Sequence, residues 1–166
     1  MPPAPNREHQ ELEGELETWL RVFWTRRQRA KVYHQINLAA PDGWPDDYRI
    51  PDLVLLTPDR FGIDRNEYFE GPPTVVIEIH SPNDEAFEKL SFYAKLGVTE
   101  TWIIDRDSKE PRVYVLEGST YRRRSPDEKG WILSEITGIL LRGEPHAKLA
   151  IQLVDDAGSR RELPER

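Results

Sequence analysis

The chain has 166 residues, of which 37% are hydrophobic and 32% charged, with five Trp and a formal net charge of −7. That length suits a single domain, and the absence of Cys excludes disulfides, thiolate metal clusters and cysteine nucleophiles. The acidic balance argues against a general nucleic-acid coat protein, which neutralises phosphates with Lys and Arg, but leaves room for a local basic cleft.

No run approaches the ~18 apolar residues of a membrane span, and Met1-Pro-Pro-Ala-Pro lacks the basic-then-apolar order of a secretory signal. With the lack of Cys, this predicts a cytoplasmic protein that does not engage a membrane. Residues 1–8 are proline-rich and polar, and residues 155–166 are charged, so both ends are expected to be flexible around a single domain over 9–154.

Leu12, Leu16, Leu20 and Phe23 recur at helical spacing and predict an amphipathic helix over about residues 8–27, laid on a sheet. Lys31 to Leu38 alternates like a half-buried strand, and Pro41 to Asp47 is a loop by its Pro, Gly and Asp content. Leu53–Leu56 and Thr74–Ile79 are aliphatic runs bounded by Pro, the pattern of central strands covered on both faces. Ser81-Pro-Asn-Asp-Glu offers a capping hydroxyl, Pro at the first helical position and early acids, so a helix is expected from Ser81 to Gly97, carrying Phe87, Leu90 and Ala94. Trp102–Asp105 and Arg112–Leu116 read as strands, with further edge strands at Tyr121–Arg124, Trp131–Ser134 and Leu149–Val154. The sum is an α/β (α+β) domain built on a mixed sheet.

Two acids stand where a plain strand would not put them: Asp52 at the start of one apolar run and Glu78 inside the next. A carboxylate in a buried strand is costly unless it is paired or binds a metal. Brought together, the two would make an oxygen-ligand site for Mg²⁺ or Mn²⁺, able to activate water against a phosphodiester. Plainer readings stand beside this one: Asp52 capping a turn after Pro51, and Glu78 in an ion pair with an Arg.

Pro51-Asp52, Glu78-Ile79-His80, Ser81-Pro82 and the stretch from Lys89 through Tyr93, Gly97 and Trp102 to Asp105 resemble the bacterial "Uma-two" restriction endonuclease family of the PD-(D/E)XK nuclease superfamily. The resemblance is densest over residues 49–105. It implies a restriction-endonuclease-like core, a central mixed β-sheet flanked by helices, and a metal-dependent endodeoxyribonuclease that uses Mg²⁺ or Mn²⁺ and takes DNA as substrate. Asp52 and Glu78 become the metal-binding acids, and the Ile79 carbonyl a third ligand. His80 occupies the place of the signature lysine, where His could do part of the lysine's work. Lys89, on the following helix, is the alternative source of that cation; otherwise it forms a solvated i,i+4 pair with Glu85. The superfamily also adds an acid from the first helix, for which Glu13 stands ahead of Glu17; both are otherwise solvated. Tyr93 and Trp102 match the family pattern as packing residues. Nucleases of this kind often cut both strands as homodimers.

Arg26–Lys31 and Arg122–Arg124 are the main basic clusters, suited to phosphate contacts or to a solvated helix end and a charge-protected edge strand. Two functions from different classes are thus open. One is the metal-dependent endonuclease, and the other is a catalytically impaired nuclease-fold module that binds nucleic acid or a protein partner.

Overall fold

The structure is a computed structural model and describes residues 3–165. The first helix, α1 (Arg7–Trp19), opens where the Asn6 side chain accepts the main-chain N–H of His9 at 2.9 Å. It runs without a break through a π-helical stretch, Leu20–Thr25, into α2 (Arg26–Gln28), close to the expected span. Leu12, Leu16, Leu20 and Trp24, spaced four apart, are all fully buried. Each such side chain contributes about 1.5–3 kcal/mol through removal from water. Trp19 and Trp24 lie in the same core, and their indole N–H groups donate to the Ser159 and Thr137 carbonyls.

Among the described residues, twelve strands follow: β1 (Lys31–His34), β2 (Leu38–Ala39), β3 (Leu53–Leu56), β4 (Phe69–Glu70), β5 (Val75–His80), β6 (Glu100–Asp105), β7 (Pro111–Glu117), β8 (Thr120–Arg123), β9 (Ile132–Ser134), β10 (Ile139–Glu144), β11 (Lys148–Leu153) and β12 (Asp156–Leu163), with α3 (Leu90–Leu96) between β5 and β6. The central sheet has the order β1-β3-β5-β6-β7-β8, mixed because β5 and β6 are parallel while the other pairs are antiparallel. A second, antiparallel sheet has the order β12-β11-β10-β9. This is a mixed α+β fold with a central sheet.

Alternation in the central strands divides the core. Leu53, Leu55, Val75, Ile77, Ile79, Trp102 and Ile104 pack with α1 and with the inner side of the second sheet. Val54, Leu56 and Val76 face the other way, onto Tyr93 of α3, Leu38 and Phe69. Glu100 bridges the sheets: its carboxylate accepts from Trp102 Nε1 at 3.0 Å and from Ser134 Oγ at 2.7 Å.

Three expectations need correction. The strand over Lys31–Leu38 is split, because Gln35 takes a left-handed conformation (φ 49°) and the chain turns away before β2. The helix from Ser81 to Gly97 exists only as its second half, α3. Asn83 is left-handed (φ 68°), and the Asp84 carboxylate accepts the N–H groups of Ser81 at 2.5 Å and Ala86 at 3.0 Å. Those side-chain bonds compete with helix formation and close a compact loop instead. The end of α3 is as expected: Gly97, at φ 97°, returns its N–H to Tyr93 and Ala94. Finally, the segment expected as a flexible charged tail forms β12, paired with β11 from Leu149↔Leu163 to Leu153↔Asp156. Its charges point outward while Ser159 and Leu163 are buried, and main-chain bonds hold what side-chain hydropathy alone does not predict.

Candidate metal-binding active site

Asp52 immediately precedes β3, and Glu78 lies near the end of β5. The pairing Leu53↔Ile77 and Val54↔Val76, continued by one residue, sets Asp52 opposite Glu78. The sheet therefore brings the two predicted acids to one end of adjacent strands. Asp52, Glu78, Ile79 and Lys89 line one open cleft of about 740 Å³, together with His9, Arg106 and the Ser81–Ala86 loop.

Each acid is held. The main-chain N–H of Ile79 donates to Asp52 Oδ2 at 2.7 Å, and His9 Nε2 lies 3.1 Å from Asp52 Oδ1. The Tyr93 hydroxyl donates to Glu78 Oε1 at 2.6 Å, and the Lys89 ammonium lies 3.4 Å from Glu78 Oε2. Burial, followed by the charge of Asp52, pushes the Glu78 carboxyl up to about 7 despite Lys89 and Tyr93. Burial, followed by the charge and hydrogen bond of Glu78, raises the Tyr93 phenol far above its ordinary range and keeps it a donor.

In β5 the His80 carbonyl accepts from Arg106 N, on the β6 side, while the N–H of Ile79 points to Asp52, on the β3 side.

The other predicted residues divide. Lys89, at the start of α3, reaches Glu78 across the cleft. His80 shares a sheet face with Glu78, but its Nδ1 lies 2.7 Å from Asp84 and its ring packs edge-on against Phe87. Glu17 is drawn to His34 at 2.7 Å and does not join the cleft. Glu13 approaches Asp52 from α1: ligand atoms of His9, Glu13 and Asp52 all lie within 4.8 Å of one another. Burial, then the charge of Asp52, raises the Glu13 carboxyl above its usual value. For His9, burial lowers the pKa, but the hydrogen bond to Asp52 and the charges of Asp52, Glu13 and Asp84 together outweigh it, and the imidazole ends above its usual value.

Tyr93, expected only as a packing residue, holds Glu78 through its hydroxyl, Arg106 lines the cleft without having been singled out, and a third residue that sequence reasoning missed is His9. Its signal was present as a His four residues before a predicted acid, on one face of an amphipathic helix. The basic clusters are partly neutralised within the molecule: Arg27 pairs with Asp155 and Asp156, Arg122 with Glu117 and Arg124 with Glu135.

The family model Uma2, described as "Putative restriction endonuclease", matches residues 1–142. The chain belongs to this family. The match takes in α1, the central sheet and the cleft, and ends within β10, so β11 and β12 lie beyond it. A solved structure described as a "putative nuclease belonging to DUF820", from Anabaena variabilis ATCC 29413, is similar with a TM-score of 0.60 at 20% identity, over 75% of this chain and 72% of that one. This likeness shows the fold, which is restriction-endonuclease-like. No curated protein matches the chain. Among the described residues of this Uma2 member, no helix is long and apolar enough to cross a membrane.

Proposed function

We propose that the protein is a metal-dependent endodeoxyribonuclease that hydrolyses DNA phosphodiester bonds at the cleft between the ends of β3 and β5. The observation that carries this reading is the meeting of Asp52, Glu78, Ile79 and Lys89 in one cleft within a nuclease-family fold. Asp52, Glu78 and the Ile79 carbonyl would hold Mg²⁺ or Mn²⁺, with Glu13 adding its carboxylate from the His9 side of Asp52. The donor set fits: it is made of oxygens, and a carboxylate as buried as Glu78 needs a cation to stay ionised. An ion bound there supplies polarisation of a phosphate oxygen and a water of lowered pKa.

The chain's own groups do the rest. The Ile79 N–H and the Tyr93 hydroxyl fix the two carboxylates, so little reorganisation accompanies reaction. Lys89 takes the part of the lysine displaced from position 80, orienting the attacking water and offsetting charge that develops on phosphate. Arg106 lines the same cleft and offers a guanidinium to a neighbouring phosphate. Cleavage of both strands of a duplex would be served by a homodimer, the symmetry that a two-fold duplex matches.

The test compares nicking of supercoiled plasmid, with Mg²⁺ and with EDTA, by wild type and Lys89→Ala. Metal-dependent nicking that falls by about 10²-fold in the variant supports the reading. If metal binds but wild type cuts neither duplex nor single-stranded DNA, the catalytically impaired binding module takes its place.

A further inference from the structure

We propose that the groove between α3 and the β7–β8 hairpin is the track of an unpaired DNA strand running to the cleft, which makes the substrate class single-stranded DNA or duplex with a single-stranded arm. The proposal rests on the nuclease reading for what lies at the end of the track. Its test reads binding alone.

The groove encloses about 550 Å³. Leu90 and Ala94 of α3 line one side, and Tyr114 and Tyr121 of β7 and β8 the other. Tyr121 is fixed in place: its hydroxyl donates to the Val98 carbonyl at 2.8 Å and accepts from Thr101 Oγ1 at 2.9 Å. Tyr114 is half-buried, and its hydroxyl has no hydrogen-bond partner among the described residues. Because β8 is the edge of the central sheet, no further strand closes that side.

Strand register carries the groove into the cleft. Glu78 pairs with Ile103 and Ile103 with Arg112, while Thr101 pairs with Tyr114 and Tyr114 with Arg123. Side chains in register share a face, and so do residues two apart on one strand. Glu78, Arg112, Tyr114 and Arg123 therefore stand on one face of the sheet, stepping outward from the cleft. The start of α3 joins the two spaces, with Lys89 lining the cleft and Leu90 the groove. Phe87, 37% exposed, stands beside that junction with the Arg112 guanidinium 5.2 Å from its ring centre.

Charge names the occupant. Acids outnumber Lys and Arg by 30 to 23, yet Lys95, Arg112 and Arg123 on this face have no ion-pair partner among the described residues. Their neighbours Arg122 and Arg124, which alternate to the opposite face, are paired with Glu117 and Glu135. Free cations beside aromatic rings suit a polyanion with flat faces, the cations meeting phosphates and the rings meeting bases. In a duplex those base faces are covered by neighbouring pairs, so the rings can stack only on unpaired bases.

The test is fluorescence anisotropy of a short labelled oligothymidylate, and of a blunt duplex of the same length, in EDTA so that nothing is cut. Wild type is expected to bind the oligothymidylate at least about tenfold more tightly than the duplex. Lys95→Gln, Arg112→Gln and Arg123→Gln should each weaken it and flatten the log–log salt dependence by about 0.7. Tyr114→Leu should weaken it about fivefold or more at unchanged slope. Arg122→Gln should match wild type. The replaced side chains are exposed or half-buried, so the variants are expected to keep the fold. Equal affinity for duplex, equal loss in Arg122→Gln, or wild-type affinity in both Arg123→Gln and Tyr114→Leu would overturn the track. Tighter binding of an oligouridylate would give the groove to RNA and overturn its assignment to DNA. The expected variant losses without cleavage of any DNA by wild type would keep the track and contradict the nuclease reading, whereas metal-dependent plasmid nicking without those losses would do the reverse.

Discussion

Glu78 is 4% exposed, its carboxyl is pushed up to about 7, and its partners are a tyrosine hydroxyl and a lysine that stops 3.4 Å short. Removing the Tyr93 hydroxyl by Tyr93→Phe frees one oxygen of that carboxylate, and about a 10–100-fold loss of metal affinity or cleavage is expected by titration and plasmid assay. His80→Ala should change cleavage far less than Lys89→Ala, because His80 is engaged with Asp84 while Lys89 reaches Glu78, the acid proposed to hold the metal. The metal-free protein should also be pH-sensitive in a defined direction. Below about pH 4.5 Glu78 is protonated in folded and unfolded chains alike; between there and about pH 7 only the unfolded chain releases the proton, so stability falls by about 3 kcal/mol as pH rises. The raised His9 imidazole acts in the same direction from about pH 6.5 upward. Urea denaturation of EDTA-treated protein at pH 5 and pH 8 reads this, and added Mn²⁺ should restore the lost stability at the higher pH. Equal stability at the two pH values would contradict the buried, unneutralised carboxylate.

At the scale of elements, β12 gives a direct stability test. Leu163 is 3% exposed and pairs with Leu149, so Leu163→Ala should cost about 2–5 kcal/mol in denaturant unfolding, more than a frayed tail could. Asp84→Ala should loosen the Ser81–Ala86 loop and cost about 1 kcal/mol, as the loss of a capping carboxylate does elsewhere. These two segments are also where sequence reasoning fell short, and for different reasons. The aliphatic runs of β3 and β5 were legible because both faces are buried, and α1 because its leucines keep one helical face. The Ser81–Glu85 signals favour a helix start, but Asp84 bonds the N–H groups on either side of it and closes a turn, a choice that propensity alone does not decide. In β12 only Ser159 and Leu163 are buried, too few positions to show the alternation of a strand, which leaves charge as the dominant signal. Asp52 and Glu78 were legible as acids out of place. His9 was not, since nothing in a helix pattern says which face meets the ends of β3 and β5.

At the scale of the molecule, a chain of net charge −7 would bind DNA, its proposed substrate, through local features. Lys89 and Arg106 bring positive charge to the cleft, where Lys89 is paired with Glu78 and Arg106 with Asp107, and Arg27 and Arg124 are likewise spent on ion pairs within the molecule. Few phosphate contacts imply a shallow salt dependence of DNA binding, with a log–log slope of magnitude only a few, measurable by fluorescence anisotropy with metal present. The arrangement of the whole fold serves one end of two strands: α1 brings His9 and Glu13, β3 Asp52, β5 Glu78 and Ile79, and α3 Lys89. The central claim is that Asp52 and Glu78 hold an ion used for phosphodiester hydrolysis. The measurement that bears on it most directly is cleavage of supercoiled plasmid and single-stranded DNA with Mg²⁺ or Mn²⁺ by wild type, Asp52→Ala and Glu78→Ala, purified identically. The account predicts metal-dependent cutting by wild type that disappears in both variants; equal cutting by all three proteins, or none by wild type with metal bound, would contradict it.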